Sequence, residues 1–223
     1  MRYLTLLAAL LVVSGGVLAA RPQAPSRSAR EVAAELQKKY DTIHDFSADF
    51  VHNYESSMLH KKLSERGTVQ VKKPGKMRWD YKSPEPKLFV SDGLRIYSWV
   101  PADNQVIVSP VPSDDQATTA VLFLTGKGNL TRDFTVSYAK AGSPDTYALR
   151  LDPRLPERDY DWLELVVNRA SLQFRELSAA EKEGGRSTFV FSNFKENVGL
   201  ADKIFAFKIP RGADVITSGA PSR

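Results

Sequence analysis

The chain has 223 residues, no cysteine, 42% hydrophobic residues and a formal net charge of +5. This composition excludes an intrinsically disordered chain, disulfide bonds, a thiolate metal site and a lipidated N-terminal cysteine. Only three histidines, His44, His52 and His60, are available, and they leave little material for a histidine-based metal site.

The N-terminal segment predicts a secretory signal peptide over residues 1–19. Arg2 supplies a positive start, a short apolar run follows, and Val17 and Ala19 occupy the −3 and −1 positions of a cleavage site. A membrane anchor is the alternative, but the apolar run is shorter than the roughly 20 residues of a membrane span. Export of a cysteine-free chain predicts a periplasmic protein. A flexible leader is expected over residues 20–27.

One amphipathic helix is predicted over residues 29–43. Ser28 and Glu31 form a capping-box pattern just before it. Apolar residues then recur at spacings of three and four, as they do on one face of a helix. This face must dock on another part of the fold.

After this helix the hydrophobic period changes to two, and turn signals separate about twelve short strands. The candidate strands are 46–54, 69–73, 76–81, 87–91, 94–100, 104–109, 133–139, 146–151, 162–168, 171–177, 187–194 and 204–209. Many alternating strands with tight turns predict an antiparallel sheet that is covered or curled, such as a barrel or a sandwich. Residues 114–124 start with acids, end apolar and precede two glycines, which predicts a short helix.

Motifs that carry catalysis are absent from the sequence. It contains no Gly-x-Ser-x-Gly elbow, no His-Glu-x-x-His and no phosphate-binding loop. His52 shares strand parity with Phe46 and Phe50, which favours a hydrogen-bonded histidine near the core over a catalytic one. The basic residues are dispersed, and export argues against a nucleic-acid partner. We therefore predict that the protein is not an enzyme and binds no metal and no cofactor.

Lys73 is the charged residue that stands out. If Val69 and Val71 face inward, Lys73 lies on the same face at the end of their strand. Burying an ammonium group alone is costly. Two alternatives stay open: the side chain is exposed at the rim, or its ammonium donates to free carbonyls of a nearby helix.

Four stretches of the chain share the pattern of one known family. They are residues 46–50, residues 71–81 with Lys-Lys-Pro-Gly and a tryptophan, residues 88–97 with Ser-Asp-Gly, and residues 191–200 together with 205–215. In their order and spacing, over about 28–216, they resemble the periplasmic outer-membrane lipoprotein carrier proteins, the LolA family.

The resemblance implies an incomplete antiparallel β-barrel of about 11–12 strands. An N-terminal helix and a short helical lid would cover an apolar cavity for the acyl chains of lipoproteins. The carrier domain would span residues 28–217, followed by a tail over 218–223. The expected partners are acylated lipoproteins, an inner-membrane lipoprotein-releasing ABC transporter and an outer-membrane acceptor, and we expect a monomer.

The resemblance also assigns candidate site residues. The cavity positions would be Phe50, Met77, Trp79, Phe89, Val121, Leu122, Phe123 and Leu124. Lys73 stands where the family has an arginine that holds the lid by hydrogen bonds to backbone carbonyls. Lysine keeps the charge and reach of arginine but loses its planar fork.

Three alternatives to the lipoprotein carrier follow from the same pattern. One is a periplasmic carrier of another lipid, such as a glycolipid. A second is a periplasmic hydrolase that uses the cavity as an acyl pocket and depends on His52. A third is the outer-membrane acceptor of the same pathway, but that protein is itself a lipoprotein, and this chain has no cysteine to acylate.

Overall fold

The computed structural model describes residues 27–56, 60–111, 128–139 and 143–218. The described chain is mainly β, as predicted. Its helices are α1 (Ala29–Asp41) and α2 (Leu130–Asp133). Its strands are β1 (Asp45–Ser56), β2 (Lys61–Lys72), β3 (Lys76–Ser83), β4 (Lys87–Asp92), β5 (Arg95–Val100), β6 (Gln105–Pro110), β7 (Phe134–Tyr138), β8 (Thr146–Pro153), β9 (Tyr160–Asn168), β10 (Phe174–Glu181), β11 (Gly185–Glu196) and β12 (Asp214–Thr217).

Four predicted segments lie wholly or largely outside the described residues. They are the signal peptide (1–19), most of the leader (20–27), the helix predicted over 114–124 and most of the tail (218–223).

The twelve strands form one open sheet in the order β12-β6-β5-β4-β3-β2-β1-β11-β10-β9-β8-β7. Two meanders, β1 to β6 and β7 to β11, meet where β1 pairs with β11. All neighbouring strands are antiparallel except β12, which pairs with β6 in parallel. The end strands β12 and β7 are not paired with each other, so the sheet is not closed into a barrel.

The sheet is strongly curled. Trp79 on β3 and Leu165 on β9 line the same enclosed cavity. Five strand spacings separate β3 from β9 in the sheet, and these would place the two strands about 24 Å apart in a flat sheet. Side chains can meet across that span only if the sheet bends around them. The curled sheet therefore has an inner face, on which the main core is built.

Helix α1 covers part of this inner face. The capping box is present: the backbone N–H of Ser28 donates to Glu31 Oε2 at 2.7 Å, and the N–H of Glu31 donates back to Ser28 Oγ at 3.2 Å. The helix ends two residues earlier than predicted. One face of it is buried in the core, through Val32, Ala33, Leu36 and Tyr40.

Gly67 on β2 lets an aromatic ring lie close to the sheet. A β-carbon at this position would be 2.7 Å from the ring of Phe50 and 2.2 Å from the carbonyl oxygen of Asp80 on the next strand. Only glycine fits between them. As a result the ring of Phe50 lies against Gly67 and is almost fully buried.

The strand predicted over residues 204–209 is wrong. Residues Asp202–Phe205 form a 3-10 turn, and residues 206–213 carry no strand. Asp202 forms ion pairs with Lys72 on β2 at 2.6 Å and with Lys76 on β3 at 2.8 Å. The turn packs against β3 and β4. Phe205 is buried there, so its apolar side chain reflects packing of a turn on the outer face of the sheet.

Candidate functional site

A continuous series of ring contacts runs along the inner face of the sheet. Each ring in it lies within 6.4 Å, between centroids, of another member. The series comprises Tyr40, Phe46, Phe50, His52, Trp79, Tyr81, Phe89, Phe174, Phe189, Phe191 and Phe194. We call this surface the aromatic trough. Tilted and edge-on geometries predominate in it, as is favourable for aromatic pairs.

Phe189 on β11 lies at the centre of the trough. Its ring centroid is 5.1 Å from that of Trp79, 5.9 Å from that of Phe50 and 4.1 Å from that of His52. Phe189, Phe191 and the nearby Phe194 were not among the predicted cavity residues. The alternation over 187–194 placed them on a strand, but only the pairing of β11 with β1 places them beside Phe50.

One enclosed cavity lies at the α1 end of the trough. Its volume is about 20 Å³, which is room for about one water molecule. Only apolar side chains line it: Phe46, Trp79, Leu165, Phe174, Leu177, Phe191 and Phe194. Small-molecule sites are usually about 300–1,000 Å³. In this cavity an acyl chain can be accommodated only if the rings move aside.

The structure brings four of the predicted cavity residues to this face. Phe50 is buried in the core, Trp79 lines the enclosed cavity, and Met77 and Phe89 pack half-buried against the core. The other four, Val121, Leu122, Phe123 and Leu124, lie outside the described residues. Contact of any of them with an acyl chain stays a prediction.

Lys73 contacts the C-terminal end of α1. Its ammonium donates a hydrogen bond to the carbonyl oxygen of Tyr40, and it lies 3.5 Å from the centroid of the same residue's ring. The negative end of the helix dipole and the ring face both favour a cation here. Burial nevertheless lowers the pKa of Lys73 to about 8, with the carboxylate of Asp41 opposing that shift. Action of Lys73 on a lid stays a prediction.

A polar cluster lies at the other end of the trough. Glu65 accepts from the ammonium of Lys87 at 2.6 Å, and its second oxygen is 3.5 Å from His52 Nδ1. His52 Nε2 is 2.7 Å from the hydroxyl of Ser187, and the hydroxyl of Tyr81 is 3.4 Å from Nδ1. We call these five residues the polar end. Burial lowers the pKa of His52 more than Glu65 raises it, which favours the neutral imidazole.

The order Ser187, His52, Glu65 is the hydroxyl–imidazole–carboxylate order of nucleophilic hydrolases. Such a site also needs donors aimed at the developing oxyanion. Ser187 lies in a strand paired on both sides, with Tyr54 on β1 and Ala179 on β10. The backbone N–H groups around it are used in the sheet, so they are not available as an oxyanion hole. The geometry does not favour the hydrolase.

Glu65 and Lys87 are not among the site residues predicted from the sequence. Charged residues on alternating strands are normally assigned to the solvent face. The parity of Glu65 with Gly67 and Val69 on β2 is the signal that places it inward. Among the residues the structure describes, no group of three metal-ligating side chains is found, and no helix is long and apolar enough to cross a membrane.

The fold and the trough together define a class of protein: a curled, open β-sheet that buries a row of aromatic side chains on its inner face under an N-terminal helix. The profile of the family described as "Outer membrane lipoprotein carrier protein LolA" matches residues 41–208. This is most of the chain, and the protein belongs to that family.

The curated relatives of this chain include proteins named outer-membrane lipoprotein carrier protein. The one from Chromohalobacter salexigens is 27% identical over 197 residues, covering 88% of this chain and 90% of the relative. The one from Actinobacillus pleuropneumoniae is 29% identical over 182 residues, covering 82% of each chain. Among solved structures, an uncharacterized conserved protein from Thermus thermophilus aligns with a TM-score of 0.53 at 14% identity. The alignment covers 86% of this chain and 99% of that one, which supports the fold alone.

Proposed function

We propose that this protein is a periplasmic carrier that binds the acyl chains of lipoproteins in the aromatic trough and moves lipoproteins from the inner to the outer membrane. The observation that carries the proposal is the trough itself: a row of aromatic rings on the inner face of an open sheet. The named activity of the curated relatives supports the same role.

The energetics suit a reversible carrier. Hiding an acyl chain of about fifteen methylene groups from water is worth about 12 kcal/mol, at about 0.8 kcal/mol for each group. No covalent chemistry is needed to hold such a cargo. Among the described residues, the rings at the α1 end of the trough leave about 20 Å³ between them. Part of the gain is therefore offset by ring displacement, which makes release to an apolar acceptor possible.

The remaining parts of the proposal follow the sequence. A signal peptide over 1–19, cleaved after Ala19, would export the chain, and residues 28–217 would form the carrier domain. Cargo would arrive from an inner-membrane ABC transporter and leave to an outer-membrane acceptor. Residues 121–124 would cover the cargo, and Lys73 would control opening through its contact with α1. No catalytic step is part of this account.

Native mass spectrometry of the protein, purified gently from its host, tests the proposal against a carrier of other lipids. Bound acylated lipoprotein is the expected result. Bound free glycolipid, with no lipoprotein, would overturn the assignment of cargo while leaving a lipid-carrying trough in place. A second sample incubated with inner-membrane vesicles provides cargo if the isolated protein is empty, and an unacylated cargo protein is the control.

A further inference from the structure

The two ends of the aromatic trough differ in polarity. The enclosed cavity beside Phe46 and Phe174 is lined only by apolar side chains. The polar end, around His52, carries charged and hydroxyl side chains. Phe46 and His52 lie six residues apart on the same strand, which corresponds to about 20 Å. One leaflet of a bilayer is about 15 Å deep in hydrocarbon, so the trough is long enough for one membrane acyl chain.

The polar end is partly open to solvent, although the carboxylate of Glu65 within it is buried. The side chain of Glu65 is 5% exposed, that of His52 16% and that of Lys87 25%. A molecule whose tail lies in the trough and whose head is attached to a protein needs such an outlet for the head. At the α1 end, Tyr40 and the rest of the buried helix face close the trough. The ammonium of Lys73 at this end is already held by the carbonyl oxygen and the ring of Tyr40.

The polar end is suited to bind a ligand group that accepts hydrogen bonds. The ammonium of Lys87 carries three N–H donors and no acceptor, and Glu65 takes one of them. Burial keeps the pKa of the Tyr81 hydroxyl above its usual range, so it stays protonated and able to donate. The carbonyl oxygen of an acyl ester or amide only accepts hydrogen bonds. Removing an ion pair from water also costs desolvation free energy, which apolar side chains of similar size in the trough would avoid.

We propose that the polar end binds the carbonyl head of a long-chain acyl group, with its methyl end directed to the cavity beside Phe46 and Phe174. Lys87 and Tyr81 are the donors, and Glu65 with His52 holds them in position. This inference rests on the proposed function, because it assigns a direction to the acyl chain in the carrier trough.

A pair of ligands that differ only in the carbonyl tests the inference. Monopalmitoylglycerol has an ester carbonyl, and the hexadecyl glycerol ether of similar length has none. The full mature protein is titrated with each, and displacement of a fluorescent fatty-acid probe gives the two dissociation constants. We expect the ester to bind about tenfold more tightly than the ether, as for a site built to hydrogen-bond its ligand.

Two double variants separate the polar end from general charge effects. Glu65→Gln with Lys87→Met removes the buried pair without leaving either charge alone, and it should reduce the ester preference to near one. Glu55→Gln with Lys62→Met removes an exposed pair on the neighbouring strands, with side chains 63% and 81% exposed, and should keep the preference. Circular dichroism and the affinity for the ether report whether each variant is folded and competent.

The outcomes distinguish the inference from the proposed function. Equal affinity of the wild-type protein for ester and ether would overturn the carbonyl site while leaving the carrier intact. Failure of both ligands and of the probe to bind would instead count against the carrier itself.

A labelling experiment tests the direction of the acyl chain. A fatty-acid ester with a diazirine on its last carbon should label Phe46, Phe174 or Phe194 on illumination. Labelling at Tyr81 or Ser187 would reverse the assigned direction.

Discussion

Truncating Phe189 to alanine should destabilise the empty protein and tighten acyl binding at the same time. Its ring lies against Phe50, Trp79 and His52 at the centre of the trough. If the rings occupy the space that cargo needs, then the ring of Phe189 stabilises the empty state and competes with the acyl chain. Removing it should therefore move stability and affinity in opposite directions.

The size of both effects can be worked out from the packing. Phenylalanine-to-alanine changes cost about 3–5 kcal/mol when the ring is fully buried, and Phe189 is half-buried, so we expect about 3 kcal/mol. Lost transfer from water accounts for about 2 kcal/mol of this. The remaining difference of about 1 kcal/mol, at about 24 cal/mol per Å³, corresponds to about 40 Å³ of new cavity. The new space would open beside Trp79, which also lines the cavity of about 20 Å³.

Urea unfolding measures the first effect, and displacement of a fluorescent fatty-acid probe measures the second. Phe189→Ala should lower the free energy of unfolding by about 3 kcal/mol and lower the dissociation constant for an acyl glycerol. The matched control is Val190→Ala, the next residue on the same strand, which points to the opposite face and is 39% exposed. An acyl affinity that falls together with stability would refute the idea that the ring and the cargo share one space.

Further variants test the ends of the trough and the outer face. Met77→Glu should abolish acyl binding with little change in the circular dichroism spectrum, because a carboxylate would face the acyl chain; unchanged binding would place Met77 outside the site. Lys73→Leu should impair lipoprotein transfer without unfolding the protein, and Lys73→Arg should retain transfer; normal transfer by the leucine variant would exclude a latch. In the folded state Lys73 loses its proton at a pKa of about 8, whereas in the unfolded state it does so at about 10.4. The unfolded state therefore binds more protons between about pH 8 and about pH 10, and the free energy of unfolding of the wild type should rise over this range. This rise should be absent in Lys73→Leu. Ion pairing holds the pKa of Asp202 at about 2, so wild type should lose this stabilisation as pH falls from about 4 to about 2, and urea unfolding of Asp202→Asn should show a smaller loss over that range.

Local features of the fold were predictable from the sequence. The capping box of Ser28 and Glu31 and the spacing of the apolar residues after it place α1 to within two residues at its end. The alternation of apolar and polar residues over 46–54 likewise predicts β1. Both patterns lie within the few residues that form the element, so one sequence is enough to recognise them. The number and alternation of the strands predict a barrel or a sandwich, and the family resemblance implies that the barrel is incomplete.

Features that depend on distant partners were not predictable from one sequence. Phe194 stacks on Phe46 although the two residues lie near opposite ends of the domain's sequence. Hydrophobic periodicity predicts strands but does not show which strands pair with each other. Glu65 carries a charge that by itself favours the solvent face, yet it is buried because Lys87 and His52 meet it on the inner face. The error over 204–209 has the same origin: an apolar pattern predicts a strand there, while ion pairs from Asp202 hold the start of that segment as a turn.

Release of lipoprotein from the inner membrane into a soluble complex tests the central claim most directly. Inner-membrane vesicles that contain a newly made acylated lipoprotein are incubated with the purified protein and ATP, and the supernatant is analysed for a complex of the two. The account predicts a soluble complex that forms with the acylated lipoprotein and not with its unacylated form. Retention of all lipoprotein in the membrane, or equal recovery of the unacylated form, would contradict a carrier that holds its cargo by the acyl chains.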